Sequence, residues 1–202
     1  MRSLPSGEVT LLFTDIDGST RLLHELGDAY ADVLAAHRRH LREAFQRHKG
    51  VEVDTQGDAF FVAFAQPGDA LAAAADAQRS LAKGPVRVRM GLHTGRPVLT
   101  DEGYVGMDVH LGARIAAAGH GGQVVVSRTT VGALGGAESM SDLGEHRLKD
   151  IAETVWLYQL RAPGLGADFP PLRTISNTNL PAPARRLVGR ERELAEICDR
   201  IR

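Results

Sequence analysis

The chain alternates short apolar runs with longer segments in which apolar residues recur every three or four positions. The run Val9–Phe13 predicts a strand buried on both faces, and this strand ends at Asp15. Apolar residues then recur at helical spacing over 22–45 with basic residues between them, which predicts one long helix. Gly50 is the expected stop of that helix. This part of the chain therefore predicts a β-strand followed by an amphipathic helix.

The next segment has the pattern of a β-hairpin. The stretch 51–54 and the apolar stretch 60–64 flank Thr55–Asp58, with Gly57 in the turn. Further along, the spacing predicts helices over 67–81 and 107–118 and strands over 86–92, 124–126 and 155–160. The order β-α-β-β-α-β, followed by additional helices and strands, predicts an α+β fold with a ferredoxin-like core.

The texture of the sequence changes after residue 160. Residues 161–186 are rich in proline and glycine and have little apolar periodicity, which is typical of an extended linker. Residues 187–202 resume a helical pattern. We therefore predict a main domain over 1–160, a linker over 161–186 and the start of a further domain over 187–202.

Composition narrows the choice of partners and compartment. Lys and Arg total 24 against 25 Asp and Glu, and no run of like charge is long enough for a nucleic-acid arm or a membrane-surface patch. No apolar stretch approaches the ~20 residues of a membrane-spanning helix. Cys198 is the only cysteine, so one chain forms neither a disulfide framework nor a thiolate metal cage. We expect a soluble cytoplasmic domain with no direct nucleic-acid partner and no membrane partner.

Two short acidic segments carry the candidate chemistry. Asp15 ends the first predicted strand directly before Gly18, Ser19 and Thr20, which open a helix. A carboxylate at that point supplies hard oxygen ligands for Mg²⁺, while free backbone N–H groups at the helix start face an anion. Asp58 lies in the hairpin turn. If the hairpin packs beside the first strand, the two carboxylates converge and favour a bound cation.

Simpler explanations compete with this one. An Asp before a helix is most often an N-cap, which is how we interpret Asp17, and a Gly-Asp turn is most often only a turn. Taken singly, Asp15 and Asp58 stay open. The segment Asp15–Gly18 also fits the nucleophile motif of haloacid dehalogenase-like phosphatases. Those enzymes need a later lysine and an acidic pair on parallel strands, and Asp58 has no acidic neighbour within 57–61, so we rank the phosphatase hypothesis behind the metal-site hypothesis.

Five motifs in order along the chain resemble the class III nucleotidyl cyclase family. Phe13–Thr20 and the turn Gly57-Asp58 match the two segments that carry the family's metal-binding aspartates. The other three matches are Gly91–Gly95, the helix segment Val105–Arg114 and Leu148-Lys149, which is similar to the lysine motif of a late strand. The resemblance spans about residues 8 to 160. It implies conversion of a nucleoside triphosphate into a 3′,5′-cyclic nucleotide and pyrophosphate.

The resemblance also implies a role for each matching position. Asp15, Asp58 and the backbone carbonyl of Ile16 are expected to hold two divalent metal ions, Mg²⁺ or Mn²⁺. The residues expected to cradle the phosphates are Gly18, Ser19 and Thr20.

Two basic residues complete the implied site. Arg114 is expected to stabilise charge on the transferring phosphoryl group, and Lys149 to hold the outer phosphates. In the family these two residues come from the opposite subunit, so the resemblance implies a homodimer with composite active sites.

Three positions depart from the family pattern. Asp54 replaces the lysine that donates to adenine, and Gly103 replaces the aspartate that partners it. An ionised Asp54 only accepts hydrogen bonds, which suits the N–H groups of guanine, so both ATP and GTP stay open, with ATP ahead on the family's base rate. His110 replaces the asparagine that positions the ribose, and it shares a helix face with Arg114. We expect reduced turnover, although His110 is equally well explained as filler at a dimer interface.

A second function from a different class rests on the same three departures. A degenerate cyclase domain can dimerise or bind nucleotide and thereby regulate an attached protein. The segment Leu187–Leu194 resembles the opening of signal-transduction ATPase domains that follow cyclase domains in multidomain bacterial regulators. The remaining histidines are not interpreted as site residues, and His37 and His40 on the long helix are interpreted as solvated.

Overall fold

The computed structural model of the protein describes residues 3–175. The predicted helical segment over 187–202 and the last part of the predicted linker, 176–186, lie outside the described residues. The helices and strands, in chain order, are β1 (Val9–Ile16), α1 (Ser19–Leu26), α2 (Tyr30–Arg47), β2 (Val51–Gln56), β3 (Ala59–Phe64), α3 (Pro67–Leu81), β4 (Val88–Gly95), β5 (Val98–Thr100), β6 (Gly103–Val105), α4 (Met107–Ala118), β7 (Val124–Ser127), α5 (Arg128–Leu134), β8 (Met140–Arg147) and β9 (Thr154–Leu160).

Seven of these strands form one sheet, in the order β2-β3-β1-β4-β7-β9-β8. β1 is antiparallel to both of its neighbours, β3 and β4, whereas β4 and β7 are parallel and are joined by the crossover helix α4. The strands β1 to β4, together with the helices between them, form the predicted ferredoxin-like core. The α+β prediction is therefore confirmed.

The sheet is covered on both faces, because successive residues of β1 point to opposite sides. Leu12 joins the larger apolar cluster, under α2, α3 and α5, while Leu11 belongs to a second cluster on the other face. On that second face α4 packs closely on the strands. A Cβ at Gly91 would lie 2.2 Å from the backbone nitrogen of Ala116, and only glycine leaves room for this contact.

Two sequence predictions of local structure are corrected. The single helix predicted after Gly18 is interrupted by a short 3-10 turn over Gly27–Ala29 and therefore forms α1 and α2. Gly27 has φ of 53° and closes α1 with a hydrogen bond from its N–H to the Leu23 carbonyl, a conformation that apolar periodicity does not encode. The strand predicted over 86–92 is displaced and spans Val88–Gly95. The sequence patterns also missed β5, β6, α5 and β8.

Residues 161–175, named the exit segment, lie against the domain. Gln159 donates from Nε2 to the carbonyl of Ala167 at 2.9 Å, and the N–H of Arg173 donates to the carbonyl of Ala118 at 2.8 Å. Leu172 packs against the apolar cluster of the second face. Part of the predicted linker is thus ordered against the fold, while the boundaries at 160 and 186 stay predictions.

Among the described residues, none of the helices combines the length and apolar character that crossing a membrane requires.

Candidate active site

The two sequence-predicted metal aspartates lie at the same end of the sheet. β1 and β3 pair in antiparallel register with Thr14 opposite Phe60, so continuing that register brings Asp15 and Asp58 to adjacent strand ends. Asp58 follows Gly57, whose φ of 61° forms the tight turn between β2 and β3. The turn therefore delivers one carboxylate beside the end of the strand that delivers the other.

The backbone carbonyl of Ile16 is oriented toward the same place. The N–H of Asp17, which belongs to the same peptide unit, donates to the carbonyl of Arg87 on the β4 side of β1 at 2.8 Å. In a trans peptide the C=O points opposite to the N–H, so the Ile16 carbonyl points toward the β3 side, where Asp58 lies. The structure thus brings two carboxylates and one carbonyl to one region.

Unused hydrogen-bonding capacity is concentrated around Asp58. Three buried side-chain atoms lack a hydrogen-bond partner within residues 3–175, namely Asp58 Oδ2, His37 Nδ1 and Thr14 Oγ1. Thr14 directly precedes Asp15, and its strand neighbour Phe60 contacts His37 with ring centroids 6.1 Å apart. Buried polar atoms are normally paired, and unpaired ones mark a place where a water or an ion is expected. The residues present therefore fit a bound cation.

His37 is a correction to the sequence analysis, which interpreted it as solvated. It is 1% exposed, and its Nε2 donates to the backbone carbonyl of Asp58 at 3.2 Å. Burial lowers the pKa of His37 and so favours the neutral ring at pH 7. Burial, and secondly the negative charge of Asp58, raise the pKa of Tyr30. The hairpin turn is therefore held by α2, in which Arg38 also donates from Nε to the carbonyl of Gly57 at 3.2 Å.

Asp15 already has a cationic partner within the chain. Arg89, opposite it on β4, donates from Nε to Asp15 Oδ2 at 3.0 Å and also contacts that oxygen through Nη2. Both contacts use Oδ2, and the guanidinium holds the carboxylate at the strand end. Nowhere within residues 3–175 do three or more His, Cys, Asp or Glu side chains lie close enough together to hold a metal ion by themselves.

The start of α1 has the features predicted for phosphate binding. Gly18 is the N-cap with φ of 75°, and a glycine has no side chain with which to cap the helix. The first turn contains no acidic residue. Ser19 is half-buried and Thr20 is exposed, so their amides lie at an accessible helix N-terminus that faces anions favourably.

Asp17 is not the helix cap that the sequence analysis predicted. Its two carboxylate oxygens accept hydrogen bonds from Arg173 of the exit segment at 2.8 and 2.9 Å, and Oδ2 also accepts from the N–H of Gly121 at 3.0 Å. These donors, Arg173 first, lower the pKa of Asp17 to about 2. Asp17 therefore joins the β1–α1 loop to the exit segment.

Asp54, one of the two predicted base-recognition residues, lines a cavity of about 290 Å³ whose other lining residues include Thr14 and Ala59, the chain neighbours of Asp15 and Asp58. The lining residues are Phe13, Thr14, Asp54, Gln56, Ala59, Phe60 and Phe61. Asp54 already accepts hydrogen bonds from the Thr55 N–H at 2.8 Å and from Gln56 Nε2 at 2.9 Å. Gly103 has φ of 121°, and a Cβ there would lie 3.2 Å from Val53, so a side chain at this position is disfavoured.

Among the described residues, no hydrogen bond or ion pair joins the remaining predicted site residues to Asp15 or Asp58. His110 is exposed on α4, and Arg114 donates to Asp150 at 2.5 Å. Lys149 is exposed and lies in the turn after β8, not in a strand as its motif implied. β1 and β8 run in opposite directions with β4, β7 and β9 between them, which separates the strands by roughly 19 Å at ~4.8 Å per step.

Four relevant residues escaped the sequence analysis, namely Arg89, His37, Asp150 and Arg173. For Arg89 a signal existed, since it alternates with buried Val88 and Met90 on a strand, but its partner depends on strand order. The other contacts join segments far apart in the chain, and local patterns do not reveal them.

The phosphatase alternative does not fit this arrangement, because the strand that carries Asp15 has antiparallel neighbours on both sides.

The family model described as the adenylate and guanylate cyclase catalytic domain matches residues 1–162. The chain belongs to this family. The resemblance inferred from the five motifs is thereby confirmed.

Relatives of this cyclase domain include the uncharacterized protein Rv0891c of Mycobacterium tuberculosis. It is 39% identical over 201 residues, which cover 95% of this chain and 70% of the relative. The receptor-type adenylate cyclase GRESAG 4.3 of Trypanosoma brucei brucei is 29% identical over 221 residues, which cover 84% of this chain and 18% of the receptor.

Solved cyclase structures share the fold. Adenylate cyclases from Trypanosoma brucei, solved in their monomeric state, give a TM-score of 0.74 at 27% identity, covering 86% of this chain and 97% of the other. The guanylate cyclase domain of RhGC from Catenaria anguillulae, solved in complex with GTP, gives a TM-score of 0.68 at 20% identity, covering 77% and 97%. The cyclase domain therefore has the fold of both adenylyl and guanylyl enzymes.

Proposed function

We propose that this cyclase domain converts a nucleoside triphosphate, ATP ahead of GTP, into a 3′,5′-cyclic nucleotide and pyrophosphate. The observation that carries the proposal is the convergence of Asp15, Asp58 and the Ile16 carbonyl beside an uncapped helix N-terminus. In the reaction the ribose 3′ oxygen bonds to the α-phosphorus and pyrophosphate leaves. A site for this chemistry needs both cation ligands and phosphate donors, and this end of the sheet offers both.

Divalent cations fit the donor set. Asp15, Asp58 and the Ile16 carbonyl supply hard oxygen ligands, and phosphate oxygens of the substrate are expected to complete the shell, as is common for Mg²⁺. Two bound Mg²⁺ or Mn²⁺ ions would acidify the ribose 3′-hydroxyl and neutralise charge on the triphosphate. Arg89 contacts only Oδ2 of Asp15, which leaves Oδ1 for this ligand role.

The phosphates are proposed to bind at the start of α1. The amides of Gly18, Ser19 and Thr20 precede or open the helix and donate to anionic oxygens. Arg114 and Lys149 are proposed to contact the phosphates from the opposite subunit, with Arg114 stabilising the transferring group. Each chain then contributes to two composite sites.

The separation of these residues supports a homodimer. Asp15 lies at the end of β1, and Lys149 lies beyond the end of the antiparallel strand β8 on the far side of the sheet. A second copy is therefore proposed to bring its Lys149 to the triphosphate that binds beside Asp15. Exposed apolar side chains on β5, β6 and the start of α4 offer a surface for a second copy: Val98, Leu99, Val105 and Met107, between 41% and 66% exposed.

Base selection is proposed to be weak. Asp54 is tied to its own strand by Thr55 and Gln56, and Gly103 supplies no side chain. The remaining lone pairs of the Asp54 carboxylate suit the N–H donors of guanine. Adenine, by contrast, lacks the lysine that usually donates to it from this position. ATP is placed first because the relatives with the higher identity and a stated activity are adenylate cyclases. His110, in place of asparagine, is expected to lower turnover further.

Product formation tests the proposal. Purified protein is incubated with Mn²⁺ or Mg²⁺ and with ATP or GTP, and cyclic nucleotide and pyrophosphate are quantified by chromatography and mass spectrometry. We expect the wild-type protein to form cyclic product with Mn²⁺. This product should be lost in Asp15→Asn and in Asp58→Asn, in which a near-isosteric neutral amide replaces the carboxylate. Product that persists unchanged in both variants would show that these carboxylates are not the site.

A regulatory role is the second candidate, and one observation favours it. Two of the proposed site carboxylates already have hydrogen-bond donors within the chain. Arg89 donates to Asp15, and the Thr55 N–H donates to Asp54. A domain that binds nucleotide without turnover could transmit its occupancy to an attached segment. In the same assay, binding of nucleotide with no cyclic product from ATP or GTP would favour this role.

A further inference from the structure

The contact between Asp17 and Arg173 joins two parts of the chain that are 156 positions apart. The guanidinium donates from Nη1 to Oδ1 at 2.8 Å and from Nη2 to Oδ2 at 2.9 Å, which is a two-pronged, charge-assisted pair. Asp17 is partly buried, with 26% of its side chain exposed. The pair is therefore directional and has a defined geometry.

Asp17 lies between the proposed metal ligands and the proposed phosphate loop. Its N–H belongs to the peptide unit that carries the Ile16 carbonyl and is fixed by the Arg87 carbonyl at 2.8 Å. Its carboxylate is fixed by Arg173 and by the N–H of Gly121 at 3.0 Å. Because both the backbone and the side chain of Asp17 are held, the dihedral angles that aim Ile16 and Gly18 have little freedom.

Arg173 is itself anchored on both sides. Its N–H donates to the carbonyl of Ala118, at the end of α4, at 2.8 Å. The preceding residue, Leu172, packs into the apolar cluster that contains Leu148. Two residues later, the N–H of Ile175 donates to the carbonyl of Arg147, the last residue of β8, at 3.0 Å. The guanidinium therefore projects from a segment fixed to the rigid part of the domain.

We propose that Arg173 is a positioning residue for the cyclase reaction, holding Asp17 so that the β1–α1 loop presents the Ile16 carbonyl and the Gly18–Thr20 amides to the metal and phosphates. The role rests on the proposed function, since it concerns the same site. Arg173 touches neither substrate nor metal in this role. The exit segment thereby becomes part of the active-site architecture rather than a passive connection.

The test compares Arg173→Met, Asp17→Asn and the double variant in the full chain. Outer-shell partners of metal ligands typically contribute 10–100-fold, so we expect the KM for Mn·ATP to rise about tenfold in each single variant. The kcat is expected to stay within about twofold, because the groups that touch the transferring phosphoryl are unchanged. The double variant should be no worse than either single variant, since one contact is lost in all three.

Two controls separate positioning from general stability. Arg161→Met removes a cation from the same segment whose Nη1 contacts Ser141 at 3.4 Å, and it should leave the KM unchanged. Arg173→Lys keeps the charge without the two-pronged geometry and should give an intermediate KM. An Arg173→Met protein with the wild-type KM, or with the same KM as Arg161→Met, would overturn the proposal.

A second readout is independent of catalysis. Amide hydrogen exchange, measured by mass spectrometry on the nucleotide-free protein, should become faster over residues 15–20 in Arg173→Met and in Asp17→Asn, and stay unchanged over 56–60. If wild-type protein forms no cyclic product, the proposed function fails, while faster exchange in the loop still supports the positioning contact. Unchanged exchange over 15–20 would overturn the contact whatever the turnover.

Discussion

The metal end and the base end of the candidate site differ in how much of their bonding capacity the chain itself uses. At the metal end, Asp58 keeps a buried Oδ2 without a hydrogen-bond partner among the described residues. At the base end, both oxygens of Asp54 accept hydrogen bonds from its own strand, and Gly103 has no side chain. Metal binding and base selection therefore depend on different residues. Turnover should depend on the metal end, and selectivity between ATP and GTP on the base end.

The largest expected effect comes from pairing two inactive variants. Asp58→Asn removes a metal ligand, and Arg114→Gln removes the charge proposed to act from the other subunit, so each alone should lose roughly 100-fold or more in turnover. A mixture forms heterodimers in which one composite site is intact, so it should recover about a quarter of wild-type activity.

The control for that experiment is each variant mixed with itself. Cyclic product is measured against mixing ratio after the subunits have been allowed to exchange. If both variants are folded and no ratio restores activity, the composite site is contradicted, and Arg114 does not act on the metal end from the opposite subunit.

A smaller effect is expected from rebuilding the base end. Asp54→Lys introduces a donor where the family's adenylyl members carry one, and a gained or lost hydrogen bond to a base is worth ~1–3 kcal/mol. We expect the ratio of kcat/KM for ATP to that for GTP to rise about tenfold. Asp54→Asn is the matched control, with a donor but no positive charge. An unchanged ratio in both variants would show that Asp54 does not contact the base.

The smallest effect should come from a site outside both regions. Asp76 on α3 contacts His48 Nε2 at 2.7 Å, Arg79 at 2.9 Å and Arg47 at 3.2 Å. These contacts, His48 first, lower the pKa of Asp76. Asp76→Asn should cost ~0.5–1 kcal/mol of unfolding free energy at pH 7 with unchanged turnover.

The pH dependence of that cost has a definite sign. A carboxyl whose pKa is lowered by folding stabilises the protein above its unfolded pKa of 3.8, and the contribution disappears as the pH falls through the folded value. The unfolding free energies of wild type and Asp76→Asn, measured in urea, should therefore begin to converge below about pH 4 and become equal below the folded pKa. A difference that persists at low pH would mean that packing, not charge, explains the effect of the variant.

Local patterns were enough to predict the strands and turn that carry the metal end. The apolar run before Asp15 and the hairpin around Gly57 depend on neighbours in sequence, so periodicity and turn chemistry predict them. The same logic predicted the helix that carries His110 and Arg114. The convergence of the two aspartates was predicted only on condition that the hairpin packs beside the first strand, and that pairing of β3 with β1 is not encoded in local patterns.

What the sequence could not predict depends on contacts between distant segments. Arg89 faces Asp15 only because β4 lies beside β1, and Arg173 reaches Asp17 only because the exit segment folds back. The burial of His37 likewise depends on where the hairpin turn packs on α2. Helical spacing gave one long helix because a single glycine with positive φ, Gly27, leaves the apolar pattern intact while ending the hydrogen-bond ladder.

The most direct measurement of the central claim is Mn²⁺ binding, followed by electron paramagnetic resonance in the presence of 3′-deoxy-ATP, which lacks the reacting hydroxyl. We expect saturable Mn²⁺ binding to the wild-type protein, weakened at least about tenfold in Asp15→Asn and in Asp58→Asn and little changed in Asp54→Asn. Equal Mn²⁺ affinity in wild type and Asp58→Asn would contradict the central claim.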